Sequence, residues 1–577
     1  KSGFYVIAEK FHVDPVVARI IRNREVIGEK NIRIYLGGNL SDLSDPHQMK
    51  DMDRLVEILA QKIRKQVHIR IIGDYDVDGV TSSHLFLTAL RRVGAKVDVI
   101  IPHRIQDGYG LSLHLLQQAK EDGVDTILTC DNGIAAIDEI AWAKAQKMTV
   151  LVTDHHAVPF EEHEGRRTEK KSLADAVVNP HQQDCGYPYK ELCGAGVAWN
   201  VIRVLYENYD MDKREAEDLL DFVAMATVCD VMSLTGENRI LVKEGLKRIR
   251  HTKNIGLQAL MQACNVQPEN ISAYHFGYVL GPCVNATGRL DTARHALRLF
   301  ETGQETEAEE IARDLVDLNQ ERKELTLQGV EMAKKLCEEG GYENDPVLVL
   351  FLPDVHESIA GLIAGRIREM YNRPVFVLTR GEEGVKGSGR STENYSMYEN
   401  MCGCAELFTK FGGHPMAAGL SLPEENVEKF RRKINENCPL TVEEVCPDIH
   451  IDMAMPVGYA STELVHQFAL LEPFGKDNPS PLFADRNLSI SRMWLIGKNR
   501  NVLRMSVLSE YGQPVPVIFF GDVETLFAYF TEKFGQEEVE NALHGRKNRI
   551  LFSMVYTAKI DFYQGNENLQ LEMKYYR

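Results

Sequence analysis

Residues 67–79, Val67-His68-Ile69-Arg70-Ile71-Ile72-Gly73-Asp74-Tyr75-Asp76-Val77-Asp78-Gly79, decide how this chain is read. Val67 to Ile72 has the β-branched, apolar character of a short strand, and Gly73 ends it. Three aspartates then alternate along the exit. Val80 to Val93 has helical spacing and closes at Gly94, so the unit is a strand handing over to a helix. The unit recurs, with strands predicted over 97–101, 126–130, 148–153 and 176–178 and helical patterns between most of them. Such βα alternation predicts an α/β fold with a doubly wound, mostly parallel sheet, whose functional groups lie beyond the carboxyl ends of its strands.

Those ends carry the chemistry. Cys130-Asp131-Asn132-Gly133 follows one strand and Asp154-His155-His156 follows another. Aspartate and glycine at one strand end are commonly turn and helix-cap formers. Three acidic ends in one unit, one of them with paired histidines, go beyond that role. Gathered carboxylates repel unless a divalent cation compensates them, and oxygen ligands with one or two imidazoles suit Mn²⁺ or Mg²⁺ better than a thiolate-rich structural zinc. Five or six such ligands exceed what one ion takes from protein, so two metals are expected. Nothing matches G-x-x-x-x-G-K-[ST], and Asp74-Asp76-Asp78 runs into a helix rather than a twelve-residue calcium loop.

A chain of 577 residues is too long for one core and should divide into several. With 44% apolar and 26% charged residues it has a globular balance, which excludes a disordered or collagen-like chain. Eleven cysteines occur without a C-x-x-C pair, so buried thiols in a reduced compartment are expected. No apolar run is long enough for a membrane helix and the opening KSGFYVIAEKF lacks a signal-peptide core, which predicts a soluble, cytoplasmic protein without membrane contact. A net charge of −18 argues against nucleic acid only as a global sum, and says little about a local groove.

The series GDYDVDG, TCDNG and TDHH resembles the DHH phosphoesterase superfamily. Within it the chain is similar to the RecJ single-strand-specific exonucleases from about residue 50 onward. PHRIQDGYGLS (102–112), ATVCDVMSL (226–234), GPCVNATGRLD (281–291), GSGRS (387–391), FGGHPMAAG (411–419) and LLEPFGKDNPSPLF (470–483) stand in that family's order. The resemblance implies metal ligands Asp74, Asp76, Asp78, Asp131, His155 and Asp230, with Asp131 bridging two ions. Asp230 would otherwise read only as a helix end. It implies that His156 faces the scissile phosphate, that Asp154 orients the histidines, and that water is activated for in-line attack on phosphorus. It also implies that Arg104, Arg289, Arg390 and Ser388 hold the phosphates of the strand, especially its 5′ end, that Asn285 and His414 belong to the substrate-binding set, and that Tyr109 stacks a base or packs in the core.

The remaining sequence divides accordingly. Residues 1–50 are an N-terminal segment, 51–235 the DHH catalytic domain, and 236–341 a helical region. That region ends in a long charged helix over 303–340 whose Ala308, Ile311, Leu315 and Leu318 fall on one side. A second, smaller α/β domain is predicted over 342–446, facing the first across a cleft. From 447 to 577 the pattern is strand-like, without long helices, and predicts an oligonucleotide-binding β-barrel in which Lys498, Arg500, Arg504, Trp494 and Phe520 could form a groove for single-stranded DNA. The implied function is 5′ to 3′ exonucleolytic hydrolysis of single-stranded DNA in repair and recombination, by a monomer that works with a helicase or single-strand-binding protein. Two other classes share part of the pattern. One is a DHH phosphodiesterase acting on short oligoribonucleotides, cyclic dinucleotides or pyrophosphate, and the other is a catalytically silent DNA-binding scaffold.

Overall fold

The computed structural model describes residues 3–577 apart from 105, 106, 108, 109, 164, 165, 291, 343, 344, 382, 383, 441–447, 498–500 and 564; residues 162, 163, 166, 167 and 563 are described by backbone alone. Its first sheet contains β1 (His68–Ile72), β2 (Lys96–Ile100), β3 (Thr126–Cys130) and β4 (Thr149–Thr153). A small hairpin, β5 (Phe160–His163) and β6 (Arg166–Glu169), precedes its last strand, β7 (Ala176–Val178). The order is β2-β1-β3-β4-β7, all parallel. Alternate side chains serve two helical layers: Ile69, Ile71, Leu128 and Leu151 pack into the large core running from Met49 to Leu315, while Ile72, Ile127, Val150 and Val152 pack toward the helices Leu113–Glu121 and Ile137–Ala145. The chain passes from β1 out to β2 and returns to β3 on the other side of β1. The crevice of this sheet therefore opens beyond β1 and β3.

Glu305–Glu339 is one continuous helix. Its first half gives Ala308, Ile311, Ala312 and Leu315 to the first core, and its second half gives Val330, Ala333 and Cys337 to the next. Leu318 is half-buried. The helix thus connects two packed bodies. The second is built on β8 (Leu348–Phe351), β9 (Val375–Gly381), β10 (Gly384–Arg390), β11 (Lys410–Gly413) and β12 (Ala417–Leu422), in the order β11-β12-β10-β9-β8. Only β8 and β9 run parallel.

The C-terminal region contains β13 (Met453–Ala454), β14 (Phe483–Ile496), β15 (Val502–Leu508), β16 (Pro514–Phe519), β17 (Leu551–Tyr563) and β18 (Asn566–Tyr576). Pairing of β14 with β17 closes β14-β15-β16-β18-β17 into a barrel. The sequence reading of this region as free of long helices is corrected here: Val523–Phe534 and Gln536–Leu543 are helices inserted between β16 and β17. Asp522 caps the first by accepting from Thr525 N, and Leu526 and Phe530 pack one turn apart into the barrel core.

The same core holds the beginning of the chain. Ile7, Val16, Val17, Ile20 and Ile21, from the helices Gly3–Phe11 and Pro15–Asn23, pack with Met505, Val517 and Phe552 of the barrel. Arg239, 1% exposed on the Gly236–Ile249 helix, fastens this unit to the body whose one core runs from Met49 to Leu315, hereafter the catalytic domain. It donates to the carbonyls of Tyr35 (2.8 Å), Leu471 (2.9 Å) and Leu470 (2.9 Å).

Candidate metal centre and phosphate cleft

The parallel register sets the strand ends level. Ile72 pairs with Thr129, and Cys130 with Thr153, so Asp74, Asp131 and His155 emerge at one height. Asn132 ties the loops by donating to the carbonyls of Ile72 (3.0 Å) and Cys130 (2.9 Å). Asp131 stands in the left-handed region at φ +61°, a conformation aspartate tolerates better than a branched residue. Space is tight: a Cβ on Gly194 would lie 2.6 Å from Asp131 Cβ, and one on Gly79 2.5 Å from the Asp74 carbonyl oxygen.

Asp76 caps the Val77–Arg92 helix by accepting from Gly79 N at 3.0 Å, and Asn285 accepts from Val77 N at 3.2 Å. Asp78 accepts from Gly194 N (2.6 Å) and Ala195 N (2.8 Å), the first amides of the Gly194–Asn208 helix. His155 Nε2 lies 3.1 Å from Asp131 Oδ1, 3.6 Å from Asp230 Oδ2 and 3.7 Å from Asp78 Oδ2. Asp230 arrives from elsewhere, as the residue closing the Leu220–Cys229 helix. Three overlapping sets of donor atoms result: Asp74, Asp76 and Asp131; Asp78, His155 and Asp230; and Asp131, His155 and His156.

Asp154 organises the histidines. Its Oδ1 accepts from His155 N (2.7 Å), His156 N (3.1 Å) and His156 Nδ1 (2.7 Å), and its Oδ2 from Ile134 N (2.9 Å). Burial alone would raise the Asp154 carboxyl, yet the hydrogen bond and charge of His156 hold it below the ordinary value. Burial works against the His156 imidazolium too, but the bond to Asp154 outweighs it and raises this histidine to about 9. His155 is pushed the other way by burial, which keeps it neutral and fit to ligate.

Asp131 and Asp230 are raised well above the carboxylate range by burial and then by Asp78; Asp74 by burial and then by Asp76. Both carboxylate oxygens of Asp74 are fully buried. Carboxylates concentrated this way repel one another, and hard divalent cations relieve exactly that kind of strain in the field. The donor set of oxygens and imidazole, with Asp131 common to two groups, fits a pair of Mn²⁺ or Mg²⁺ ions.

Beside the centre, Arg104 lies over the Tyr75 ring at 4.5 Å and faces the second domain. A cavity of about 440 Å³ opens there, lined by Arg104, Ser358, Lys386, Ser388, Lys410 and Gly412 among others. Arg390 donates to Ser388 Oγ at 3.2 Å and to the Gly389 carbonyl at 2.7 Å. Arg289 donates to the Ser358 carbonyl at 2.6 Å. Burial, and then the charges of Arg104, Arg322 and Arg390, lower Arg289 to about 9. A cluster of guanidinium groups pressing on one another calls for an anion.

Family models for the DHH family N-terminal domain, the DHHA1 domain and the RecJ OB domain match residues 68–227, 344–438 and 451–575. The chain is 32% identical to the single-stranded-DNA-specific exonuclease RecJ of Haemophilus influenzae over 582 residues, which cover 97% of this chain and 96% of that protein. It belongs to the RecJ family. The RecJ protein of Bacillus subtilis is 33% identical over 511 residues, 88% of this chain and 63% of that longer protein. Among solved structures, Thermus thermophilus RecJ in complex with Mn²⁺ matches with a TM-score of 0.78 at 25% identity, over 100% of this chain and 78% of that one. Exonuclease RecJ bound to manganese matches with a TM-score of 0.59 at 31% identity, over 69% and 96%.

The residues expected from the RecJ resemblance gather in two places. Asp74, Asp76, Asp78, Asp131, His155 and Asp230 meet at the metal centre. Arg104 and Ser388 line the cleft, where Arg390 bonds Ser388 and Arg289 bonds the cleft residue Ser358. His414 stands exposed on the turn between β11 and β12, outside that cavity's lining. Tyr109, Lys498 and Arg500 lie outside the described residues. On the barrel, half-buried Trp494 faces Arg504 across the β14–β15 ladder, Arg492 lies over its ring at 5.6 Å, and Phe520 is 59% exposed. The sequence reading missed the Gly194 and Ala195 amides that hold Asp78. Their signal was Cys193-Gly194-Ala195-Gly196, small residues opening a helix where backbone must approach a carboxylate.

Proposed function

We propose that the chain is a metal-dependent exodeoxyribonuclease that degrades single-stranded DNA from its 5′ end, in DNA repair and recombination. The observation that carries this reading is the pairing of an acid–histidine cluster fit for two divalent cations with an arginine- and serine-lined pocket across one cleft. Cations of this kind supply Lewis-acid stabilisation of phosphate charge and a nucleophilic water at neutral pH. Asp74, Asp76, Asp78, Asp131, His155 and Asp230 would hold them, with Asp131 within reach of both donor groups. Asp154 keeps His156 protonated at neutral pH and turns it by its Nδ1, so that Nε2 meets an oxygen of the scissile phosphate. Arg289, Arg390 and Ser388 take the terminal phosphate and fix its distance from the reacting bond. A strand whose bases are unpaired threads between the two domains, while a duplex would have to enter whole.

The barrel extends the contact along the strand, through Arg504 and Trp494 among others. A monomer in the cytoplasm, recruited by a helicase or a single-strand-binding protein, fits this role. Among the described residues no helix is long and apolar enough to cross a membrane. Digestion of 5′- and 3′-labelled single strands and of duplex with Mn²⁺ tests the reading, with a cyclic dinucleotide and a diribonucleotide as competitors. Stepwise loss from the 5′ end of single strands is the expected result. Faster turnover of the dinucleotides, or no cleavage of any strand, would overturn it.

A further inference from the structure

Tyr274 and Tyr278 stand out from the surface, 62% and 71% exposed, with their rings stacked at 5.0 Å and 24° between planes. Neither belongs to a core. They sit on Ala273–His275 and on the π-helical turn Phe276–Leu280, which runs straight into Gly281–Leu290, the helix carrying Asn285 and Arg289. Single π turns are rare and concentrate at functional positions.

The pair walls a groove of about 880 Å³ between the catalytic domain and the segment leading into the barrel. One end of the groove adjoins the metal centre, because Val231, which follows Asp230, lines it and is 62% exposed. The arginine pocket adjoins the same centre through Tyr75, under Arg104. The groove's walls are largely apolar, and its charged lining is mainly basic. Lys243, Lys247, Arg250, Lys476 and Lys559 stand against the single carboxylate of Glu472. Lys247 and Lys559 form ion pairs with Glu244 and Glu572, whereas Arg250 and Lys476 only stand near Glu472 and Asp230, and Lys243 donates from Nζ to the Leu36 carbonyl at 3.0 Å; these three keep the most charge for the groove. Lys243 is lowered to about 8 by burial and then by Arg239 and Lys247, a state that an anion in the groove would reverse.

We propose that this groove receives the strand on the 3′ side of the scissile bond, with Tyr274 and Tyr278 as a stacking platform for its bases and Lys243, Arg250 and Lys476 along its phosphates. Stacked aromatics with interleaved cations suit unpaired nucleotides of any sequence, since every base offers a π-face. The inference rests on the reading that a single strand enters 5′ end first. It adds that grip on the downstream strand begins beside the metals, ahead of the barrel.

The test uses the full chain with Tyr274→Ala/Tyr278→Ala and Tyr274→Phe/Tyr278→Phe. The substrates are a 5′-phosphorylated twenty-nucleotide strand, the same strand with abasic residues downstream of the first few nucleotides, and a four-nucleotide strand. The alanine pair should raise KM on the long strand by on the order of tenfold per base lost from the stack. The phenylalanine pair should stay near wild type. Wild type should already bind the abasic strand weakly, with no further loss in the alanine pair, and the four-nucleotide strand should not distinguish the proteins. An equal loss on intact and abasic strands, or no loss on the intact one, would overturn the platform. A wild type that cleaves no single strand would instead overturn the function on which it rests.

Discussion

Arg289 donates from Nη1 to the backbone carbonyl of Ser358 at 2.6 Å, so one hydrogen bond crosses from the catalytic domain to the first turn of the helix Glu357–Tyr371 in the second domain. The same turn brings Gly361 against the arginine pocket. The width of the cleft and the position of its anion site are therefore set by the same few atoms.

Gly361 has room for hydrogen alone. A Cβ there would lie 2.7 Å from Arg390 Nη2 and 2.8 Å from Ser388 Oγ. Gly361→Ala should displace both groups and slow cleavage of a 5′-phosphorylated strand as Arg390→Ala does, by about 1.5–3 kcal/mol in kcat/KM. An unphosphorylated strand should be affected less. Equal losses on the two substrates, measured side by side, would show that this pocket does not read the 5′ end.

Asp131 is common to two of the three donor sets. Calorimetric titration of wild type with Mn²⁺ should show two ions per chain. Asp131→Ala should lower that number and reduce turnover by more than about a hundredfold, beyond what loss of an outer partner costs. Strand binding should change much less. Retention of two tight Mn²⁺ sites by the folded variant would disprove the shared-ligand assignment.

Asp154 acts through the histidines it holds. Asp154→Asn keeps an acceptor for the backbone amides but removes the charge that sustains the His156 imidazolium. Affinity for Mn²⁺ should fall by roughly 10–100-fold. Turnover at saturating Mn²⁺ should also fall, because metal cannot restore the His156 proton. Full recovery with excess Mn²⁺ would limit Asp154 to ligand orientation.

Asp221 is a buried carboxyl remote from the metal ligands, accepting from Thr252 Oγ1 (2.7 Å) and Phe222 N (2.8 Å). Burial raises it to about 6, against which those bonds work only in part. Its folded pKa lies above its unfolded one, so the native state holds the proton more tightly and stability declines as pH rises from about 4 to about 6. The whole decline is about 3 kcal/mol. Asp221→Asn should raise the melting temperature at pH 7.5 and leave it nearly unchanged at pH 4. A variant equally stabilised at both values would show that ionisation of Asp221 is not the cause.

Arg239 satisfies three carbonyls at the seam between the catalytic domain and the barrel unit. Arg239→Ala would take this donor from the Tyr35 and Leu470 carbonyls, while Leu471 keeps the amide of Asn478 at 2.8 Å, at a cost of about 2 kcal/mol or more. Scanning calorimetry should then resolve the barrel melting ahead of the rest. A single unshifted transition would mean that the seam is held elsewhere.

What the sequence discloses depends on how local the cause is. The aspartates after β1 and β3 were legible because a strand's period and its terminal glycine fix where a loop begins, and the loops of parallel neighbours converge by geometry. Asp230 was not legible from its surroundings, because it closes a helix and its function depends on where that helix points. The DHH family model itself stops at residue 227, short of it. The helices within the barrel left a readable signal in Asp522, Leu526 and Phe530, overlooked beside the strand-like runs that flank it. The attachment of the first helices to the barrel left none, since no local pattern names a partner at the other end of the chain.

That attachment bears on synthesis. Asp14 N is bonded to Gln467 Oε1 across 453 residues, and the helices on either side of Asp14 have their core partners in the barrel. At about 5–20 residues per second, they wait on the order of half a minute or longer after leaving the ribosome before those partners exist. Their apolar faces stand uncovered throughout that interval. The core around the metal centre, by contrast, draws on residues between Met49 and Leu315 and can close while the barrel is still unmade. The nascent chain therefore carries an assembled catalytic crevice before it carries the barrel unit.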